Sequence, residues 1–336
     1  MKRIKIGNKN IGGGSTVIVA EIGSNHGGSL SHALELVRAA KENGADCVKF
    51  QSFLADEIVI RRDPAYNILK KLELDYNSHL KIMDYAKKLG IPFFSTCSNS
   101  ISLGWLKRIN VPAIKIASTN LNCLSLIREA ALTRKPIFMS TGMSGEDEID
   151  RAVKTIRAAG NDKIVIMHCV SDYPALPGNV NVRYLTRLAK RYGCMVGYSD
   201  HTADSRSSIL AVALGAVILE KHFTIKKNRS LPDSVFSLNP KQFLKYVEDI
   251  RGSESILGSG VKKLTKTEAE SRKKFRRSVH ARIDIPAGTV LHKEHLKIVR
   301  PYSGIDACFY DSVINHKTNK HIRKDFPVRW QDLGKK

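Results

Sequence analysis

Along the chain, short runs of apolar and β-branched residues alternate with longer stretches in which apolar positions recur every three to four residues. The first pattern suits buried strands and the second amphipathic helices, and their regular alternation implies parallel strands joined by crossover helices. Eight strands are predicted, at 17–20, 47–50, 92–94, 113–117, 137–139, 164–167, 195–197 and 217–219. A helical pattern follows each: HALELVRAAKENG, YNSHLKIMDYAKKLG, ISLGWLKRIN, LSLIREAALTR, EIDRAVKTIRAAG, VRYLTRLAKRYG, SSILAVALG and PKQFLKYVEDI. Several close on Gly or Asn, the residues that most readily terminate a helix. Eight such units within roughly 250 residues fit an α/β fold of the closed (β/α)8 type, a TIM barrel, better than an open doubly wound sheet.

What ends each strand changes the picture from fold to chemistry. The apolar runs stop at Glu21, Lys49, Ser95 with Thr96, Lys115, Ser140 with Thr141, His168, Ser199 with Asp200 and His201, and Lys221 with His222. A strand ending on a polar residue is commonplace, but in a barrel eight such ends converge on one mouth, where these enzymes keep their sites. The run Gly12–Gly14 is expected to form a hairpin turn at the opposite end.

Composition narrows the function classes. With 336 residues, 42% of them hydrophobic, the chain can bury one large core and a small second one. No apolar run approaches the roughly 18 residues of a membrane span, and the basic start MKRIKIGNKN has no apolar segment behind it, so a cytoplasmic protein without a membrane partner is expected. The six cysteines, Cys47, Cys97, Cys123, Cys169, Cys194 and Cys308, form no CxxC pair and mostly fall in apolar runs, as reduced core thiols would. The formal charge of +23 permits either nucleic acid or anionic small molecules as partners. Nearly half of it follows Gly260, where 19 Lys and Arg face 8 Asp and Glu, and aromatic residues that would stack on bases are scarce in VKKLTKTEAESRKKFRRS, which disfavours nucleic acid. Residues 1–260 are therefore read as the barrel, 261–277 as a basic linker or solvated helix, and 278–336 as a small second domain.

At the mouth, Lys49 and Lys115 would be costly to bury unpaired, so they call for a substrate anion or for salt bridges to Glu21 or Glu220. The hydroxyls in FFSTCS, ASTN, STGMS and YSDHT follow strands at helix starts, where they serve either as anion contacts or as helix caps. His201 and His222 end consecutive strands, and two neighbouring neutral imidazoles suit a divalent transition metal such as Mn2+. Glu21, within EIGSNHGG, is the leading general acid/base candidate. Glu220 is left unassigned, and His26 is as readily a loop cap as a substrate contact.

The motifs EIGSNHGGSL, DCVKFQS, KIAS, FMSTGM, HCVSDYP, VGYSDHT and LEKHFT, in this order, resemble the sialic acid synthase (NeuB) family over roughly residues 15–250, and the tail from RRSVHARIDIPAGTVLHKEHLKIVRPYSG to RWQDL resembles an antifreeze-like (SAF) domain. The resemblance implies a transferase that condenses phosphoenolpyruvate with an N-acylated amino-sugar aldehyde and water, giving a nine-carbon 2-keto sugar acid and phosphate for surface or capsular polysaccharide. It implies His201 and His222 as ligands of a divalent metal, Mn2+ with Mg2+ or Co2+ as alternatives. Lys49, Thr96, Lys115, Ser118, Ser140, Ser171 and Ser199 match phosphoenolpyruvate contacts, and Glu21, Gln51, Tyr173 and Asp233 match positions around the sugar and the reacting water. Arg300 matches an arginine that reaches the site of the other subunit, which implies a domain-swapped homodimer. One position departs: the family pattern KIxSxE reads Lys115-Ile-Ala-Ser118-Thr-Asn120, and an amide cannot accept a proton near neutrality. Either Glu21 suffices, or the substrate differs, or turnover is weakened. The alternatives to the synthase reading are an impaired sugar or phosphoenolpyruvate binder of the same fold and another phosphoenolpyruvate-condensing barrel.

Overall fold

Eight strands close into a parallel barrel in the computed structural model, which describes residues 4–334; the first three and last two residues of the chain, inside the expected domain bounds, lie outside the described residues. The chain divides into two units, Met1–Gly258 and Ser259–Lys336. The first opens with an antiparallel hairpin of β1 (Ile4–Ile6) and β2 (Lys9–Ile11). The barrel strands follow as β3 (Val17–Gly23), β4 (Cys47–Ser52), β5 (Phe93–Cys97), β6 (Ile114–Ile116), β7 (Ile137–Ser140), β8 (Ile164–Cys169), β9 (Met195–Asp200) and β10 (Ala216–His222), with β10 closing onto β3. The eight predicted strands are all present. Most run one to three residues further, because the polar residues expected beyond them still pair in the ladder: Glu21 with Lys49, Thr96 with Lys115, Glu220 with Ser199.

Between the strands lie α1 (Leu30–Glu42), α2 (Tyr66–Lys71), α3 (Tyr76–Lys88), α4 (Ser100–Arg108), α5 (Leu124–Leu132), α6 (Glu146–Ala158), α7 (Tyr184–Tyr192), α8 (Arg206–Ala213) and α9 (Pro240–Leu257). The helix α6 shows why such segments fold locally. Three acidic residues occupy its first turn, Glu148 accepts from the Gly145 N–H at 2.9 Å, and Arg157 sits in its last turn, all in accord with the helix dipole. Its buried positions Ile149, Ala152, Val153 and Ile156 fall on one face.

Alternation along the strands sorts two cores. Ile18, Ala20, Val48, Ile166 and Leu219 point outward beneath the helices, whereas Val19, Cys47, Phe94, Phe138, Val165, Met167 and Ile218 point into the barrel. Ile4, Ile6 and Ile11 of the hairpin join this inner cluster and stopper the lower end. The hairpin turns at Gly7 and Asn8; Gly12–Gly14 instead connects β2 to β3, which corrects the expected hairpin role of that run. Alternation also corrects the expectation that all the polar strand ends share the mouth. Ser95 bonds Ser52, His168 bonds the Val180 carbonyl, and Asp200 pairs with Lys221, all beneath the helices.

The second unit contains α10 (Lys266–Phe275), the antiparallel pair β11 (Ser278–Ala281) and β12 (Leu296–Val299), and the short α11 (Tyr310–Val313), with its own core around Val279, Leu291, Leu296 and Val328. Residues 261–277, expected as a basic linker or helix, hold α10, which buries none of its residues. Four cysteines are buried as expected; Cys123 and Cys308 are exposed. Among the described residues no helix is long and apolar enough to cross a membrane.

Three imidazoles outside the mouth chemistry, His26, His79 and His168, are buried, and burial holds each below its ordinary pKa, His26 at about 4. The unfolded chain therefore binds more protons than the folded one below about pH 6.5. The stability these three histidines contribute is expected to be full above that pH and to fall as pH drops toward 4, by up to ~1.4 kcal/mol per pH unit for each, against the opposite contribution of the buried Glu21 carboxyl, which burial pushes up to about 7. Guanidinium midpoints at pH 7.5 and 5 measure this, and the His26→Gln variant should show the shallower slope; a pH-independent midpoint contradicts it.

Candidate active site

The last inward-facing residue or two of each strand, with the loops that follow, line a cavity of about 790 Å3 at the barrel mouth. Glu21, Lys49 and Gln51, Thr96, Lys115, Ser140, Cys169, Ser199, and Glu220 with His222 come from the eight strands, and Ser118, Ser171, Tyr173, His201 and Asp233 come from the loops. Of the barrel residues expected at the site, one does not line the cavity. The Asn120 amide is spent on the Cys97 carbonyl at 3.1 Å, and Thr119 lines the cavity in its place. Arg300 follows β12 in the second unit, its guanidinium 5.5 Å from the centre of the Phe275 ring.

At the floor lie two ammonium groups and two carboxylates. Lys115 Nζ donates to both oxygens of Glu220 at 3.0 and 2.9 Å, Lys49 Nζ is 2.8 Å from Glu21 Oε2 and 3.5 Å from Glu220 Oε1, and Ser199 donates to Glu220 at 3.0 Å. The two lysines thus have internal counter-ions, the second of the two readings their burial left open. Burial opposes every charge here, and geometry decides which survive. It pushes Glu21 up to about 7, because Lys49 offsets only part of the desolvation and Glu220 repels. Glu220, facing both lysines, overcomes burial and stays well below the ordinary carboxylate range. Lys49 regains its charge from two carboxylates and is held up, whereas burial leaves Lys115, with Glu220 on one side and Lys49 on the other, below its usual value. A floor with two ammonium groups, one firm carboxylate and one carboxyl titrating near neutrality favours an anionic ligand and offers a group able to exchange a proton.

Beside the floor, hydroxyls converge. Ser140 and Ser171 each have a buried Oγ with no partner, and Ser118 accepts from the Gly142 N–H at 3.0 Å. Unsatisfied buried hydroxyls are costly in a finished core and are natural where a ligand supplies the missing bonds.

On the far wall the rings of His201 and His222 lie 5.5 Å apart, with Tyr173 4.2 Å from His201 and Phe236 4.8 Å from His222. His201 Nδ1 is 2.7 Å from the Val170 carbonyl, which can only accept, so Nδ1 carries the proton and Nε2 a lone pair. His222 Nδ1 is buried without a hydrogen-bond partner, 3.9 Å from Asp233 Oδ2, and burial lowers its pKa so that the ring is neutral. Asp233 is itself fixed by the Ser24 N–H at 2.7 Å.

A second cavity, about 390 Å3, opens at the lower end around Arg134, Arg157 and Asn161. Those side chains donate to the carbonyls of Gly160, Tyr192, Ala131 and Lys135 and so tie loops together.

The arrangement has counterparts. The description of the NeuB family matches residues 36–262 of this chain. The chain belongs to the NeuB family. Residues 276–334 match the SAF domain that the tail resembles. Relatives of this NeuB chain include the N,N'-diacetyllegionaminic acid synthase of Legionella pneumophila, 35% identical over 94% of both chains. The pseudaminic acid synthase of Helicobacter pylori is 33% identical over 94% of this chain and 97% of its own. Among solved structures, the N-acetylneuraminic acid (sialic acid) synthetase of Leptospira borgpetersenii in complex with citrate is 32% identical, with a TM-score of 0.76 over 80% of this chain and 95% of that one.

Glu220, unassigned from the sequence, proves central to this NeuB floor. The signal that finds it is period two: it lies two residues before His222 and so shares its face. Cys169 reaches the cavity by the same alternation on β8, and the wall formed by Phe53, Ile58, Leu69 and Phe236 has no such signal, since these residues come from loops and a short helix.

Proposed function

We propose that the protein is a nonulosonate synthase of the sialic acid type, condensing phosphoenolpyruvate with an N-acylated amino-sugar aldehyde and water to give a nine-carbon 2-keto sugar acid and phosphate for a surface polysaccharide. The observation that carries this reading is the pairing, in one cavity, of an ammonium and hydroxyl cluster fit for a small anion with two neighbouring imidazoles and a carboxyl poised near neutrality. In the reaction C3 of the enol phosphate bonds to the aldehyde carbon, water adds at C2, and the C–O bond to phosphate is then lost. Lys49, Lys115, Ser118, Ser140, Ser171, Ser199 and Thr96 hold the anionic ends of the enol phosphate, Gln51 orients Glu21 through its 3.0 Å hydrogen bond, and Glu21 takes a proton from the reacting water. Tyr173 and Asp233 face the sugar. Asn120 takes no part, so the missing carboxylate at that position is compatible with Glu21 working alone.

The imidazole pair fits a divalent metal: one ring spends Nδ1 on the Val170 carbonyl and leaves Nε2 for an ion, and the other has an unpartnered buried nitrogen. His201 and His222 would hold Mn2+, Mg2+ or Co2+, which when bound supplies Lewis acidity at the aldehyde oxygen. Among the described residues no set of three or more His, Cys, Asp or Glu side chains is grouped for an ion, which leaves the other ligand positions to water and substrate.

Incubating the purified protein with phosphoenolpyruvate, Mn2+ and, in turn, N-acetylmannosamine and the deoxy diacetamido aldehydes is expected to release phosphate with one of them; release with none sinks the reading. Gly142 gives a sharper check on the anion cradle. A Cβ there would overlap Ser171 Oγ and sit 2.9 Å from Ser118 Oγ and 3.2 Å from Cys169 Sγ. Gly142→Ala is expected to raise the KM for phosphoenolpyruvate by roughly tenfold or more, the equivalent of the ~1–3 kcal/mol that overpacking costs, with the aldehyde KM little changed.

The same reading places Arg300 of the partner subunit at each site of a homodimer. Mixing Glu21→Gln with Arg300→Ala protein under exchange conditions should then restore activity that neither has alone. Activity equal to the sum of the separate variants rules out sharing.

A further inference from the structure

Behind the two imidazoles, on the outer face of the barrel, lies a second polar cluster that touches neither the cavity nor the solvent. Strands β9 and β10 are neighbours, with Ser199 opposite Glu220 and Asp200 opposite Lys221. Ser199 and Glu220 bond inside the barrel; one residue on, Asp200 and Lys221 turn outward and form an ion pair at 3.0 Å with side chains 0% and 2% exposed. Asp200 accepts from the Thr202 N–H and hydroxyl at 2.8 Å each and from the Ser208 hydroxyl at 2.6 Å. Lys221 Nζ donates to the Thr202 carbonyl at 2.6 Å and the Asp204 carbonyl at 3.3 Å, and lies 5.5 Å from the centre of the Tyr246 ring, whose hydroxyl donates to Ser208 at 2.7 Å.

Two bonds of this cluster, from the Thr202 N–H to Asp200 and from Lys221 to the Thr202 carbonyl, act on the backbone next to a mouth histidine. His201 follows Asp200 and His222 follows Lys221. Thr202, the residue after His201, has its N–H held by Asp200 and its carbonyl held by Lys221, so the loop that carries the His201 ring is pinned from both strands at once. Barrel closure does not require this, since the β9–β10 ladder forms without side chains. The attraction of the two charges is roughly cancelled by their desolvation, so the ion pair as such adds little that an apolar pair would lack; the bonds to Thr202 and Ser208 are what an apolar pair would forgo. What ions add over an apolar pair is direction.

We infer that the Asp200–Lys221 pair is a positioning device that fixes the separation and orientation of the His201 and His222 rings, and thereby sets the affinity of the site for a divalent ion. The inference rests on the metal reading given above. Asp200 and Lys221 are positioning residues, since neither reaches the cavity.

The test is the double variant Asp200→Leu/Lys221→Met, which removes both charges together. Its melting temperature without metal is expected to fall by several degrees with a single cooperative transition kept, whereas its Kd for Mn2+, read by electron paramagnetic resonance of the free ion, should rise about 10- to 100-fold, the loss usual when groups that orient metal ligands are removed. The visible spectrum of the Co2+ form should shift with it. Unchanged Mn2+ affinity in the folded double variant overturns the inference. A parent protein that binds no divalent ion overturns the metal reading first and is recognised by its own titration. Should the double variant not fold, Ser208→Ala withdraws only one bond from Asp200: a several-fold rise in Kd at unchanged melting temperature, reversed in Ser208→Thr, supports the device, and an unchanged Kd overturns it.

Discussion

Lys115→Met is expected to remove activity and stability together, and the two losses can be separated. The ammonium makes two hydrogen bonds to Glu220 at the barrel floor, where both side chains are almost fully buried. Deleting it leaves Glu220 with Ser199 at 3.0 Å and the more distant Lys49 at 3.5 Å. A buried ion stripped of its main partner costs about 3–5 kcal/mol in stability. The same ammonium faces the bound anion in the proposed reaction, so kcat/KM for phosphoenolpyruvate should fall by about 10^3, the equivalent of about 4 kcal/mol of lost transition-state binding. In Lys115→Met/Glu220→Gln the stranded charge is gone. Urea denaturation should then show most of the stability regained, while turnover stays lost. A double variant that recovers turnover as well would show that the floor pair is structural only.

Glu21→Gln should cut kcat by about 10^2- to 10^4-fold, the range in which a positioned acid or base contributes, with little change in the denaturation midpoint. Glutamine matches the shape of the protonated carboxyl, and with a pKa near 7 Glu21 carries its proton much of the time at neutral pH, so the fold does not depend on its charge. Lys49 keeps Glu220 as a counter-ion. The KM for phosphoenolpyruvate should move far less than kcat, because the loss concerns a proton and not an anchor. An equal loss through KM with kcat preserved would assign Glu21 to binding instead.

How far the chain could be read before folding depended on the range of the forces involved. Short apolar, β-branched runs in the strands and i, i+3, i+4 spacing in the helices made the barrel legible, and once the barrel was known the meeting of Lys49, Lys115, His201 and His222 followed from strand order. Which of two successive polar residues faces inward was not legible where a strand was cut short. Ending the last strand at Leu219 left Glu220 without a face and put Lys221 at the mouth, whereas the ladder continues to His222 and alternation sends Lys221 outward. Asn120 lies in a single turn at Ser118–Asn120, where one bond to the Cys97 carbonyl decides its direction; no periodicity reports such a bond. Gly142 was invisible for a similar reason, since its role is the space it leaves to three side chains from other loops and strands.

The hairpin at the lower end has a kinetic consequence. With Ile4, Ile6 and Ile11 packed under Val19, Phe94 and Phe138, the barrel is a blind well with one rim. Under the proposed reaction two organic reactants, a water and two products share that single door. The floor lies beneath the tyrosine and histidine wall, so the ligand seated on it must arrive before the one that covers it. Turnover in such a well is a queue, and a large excess of the second reactant should slow it by occupying the rim before the floor is filled.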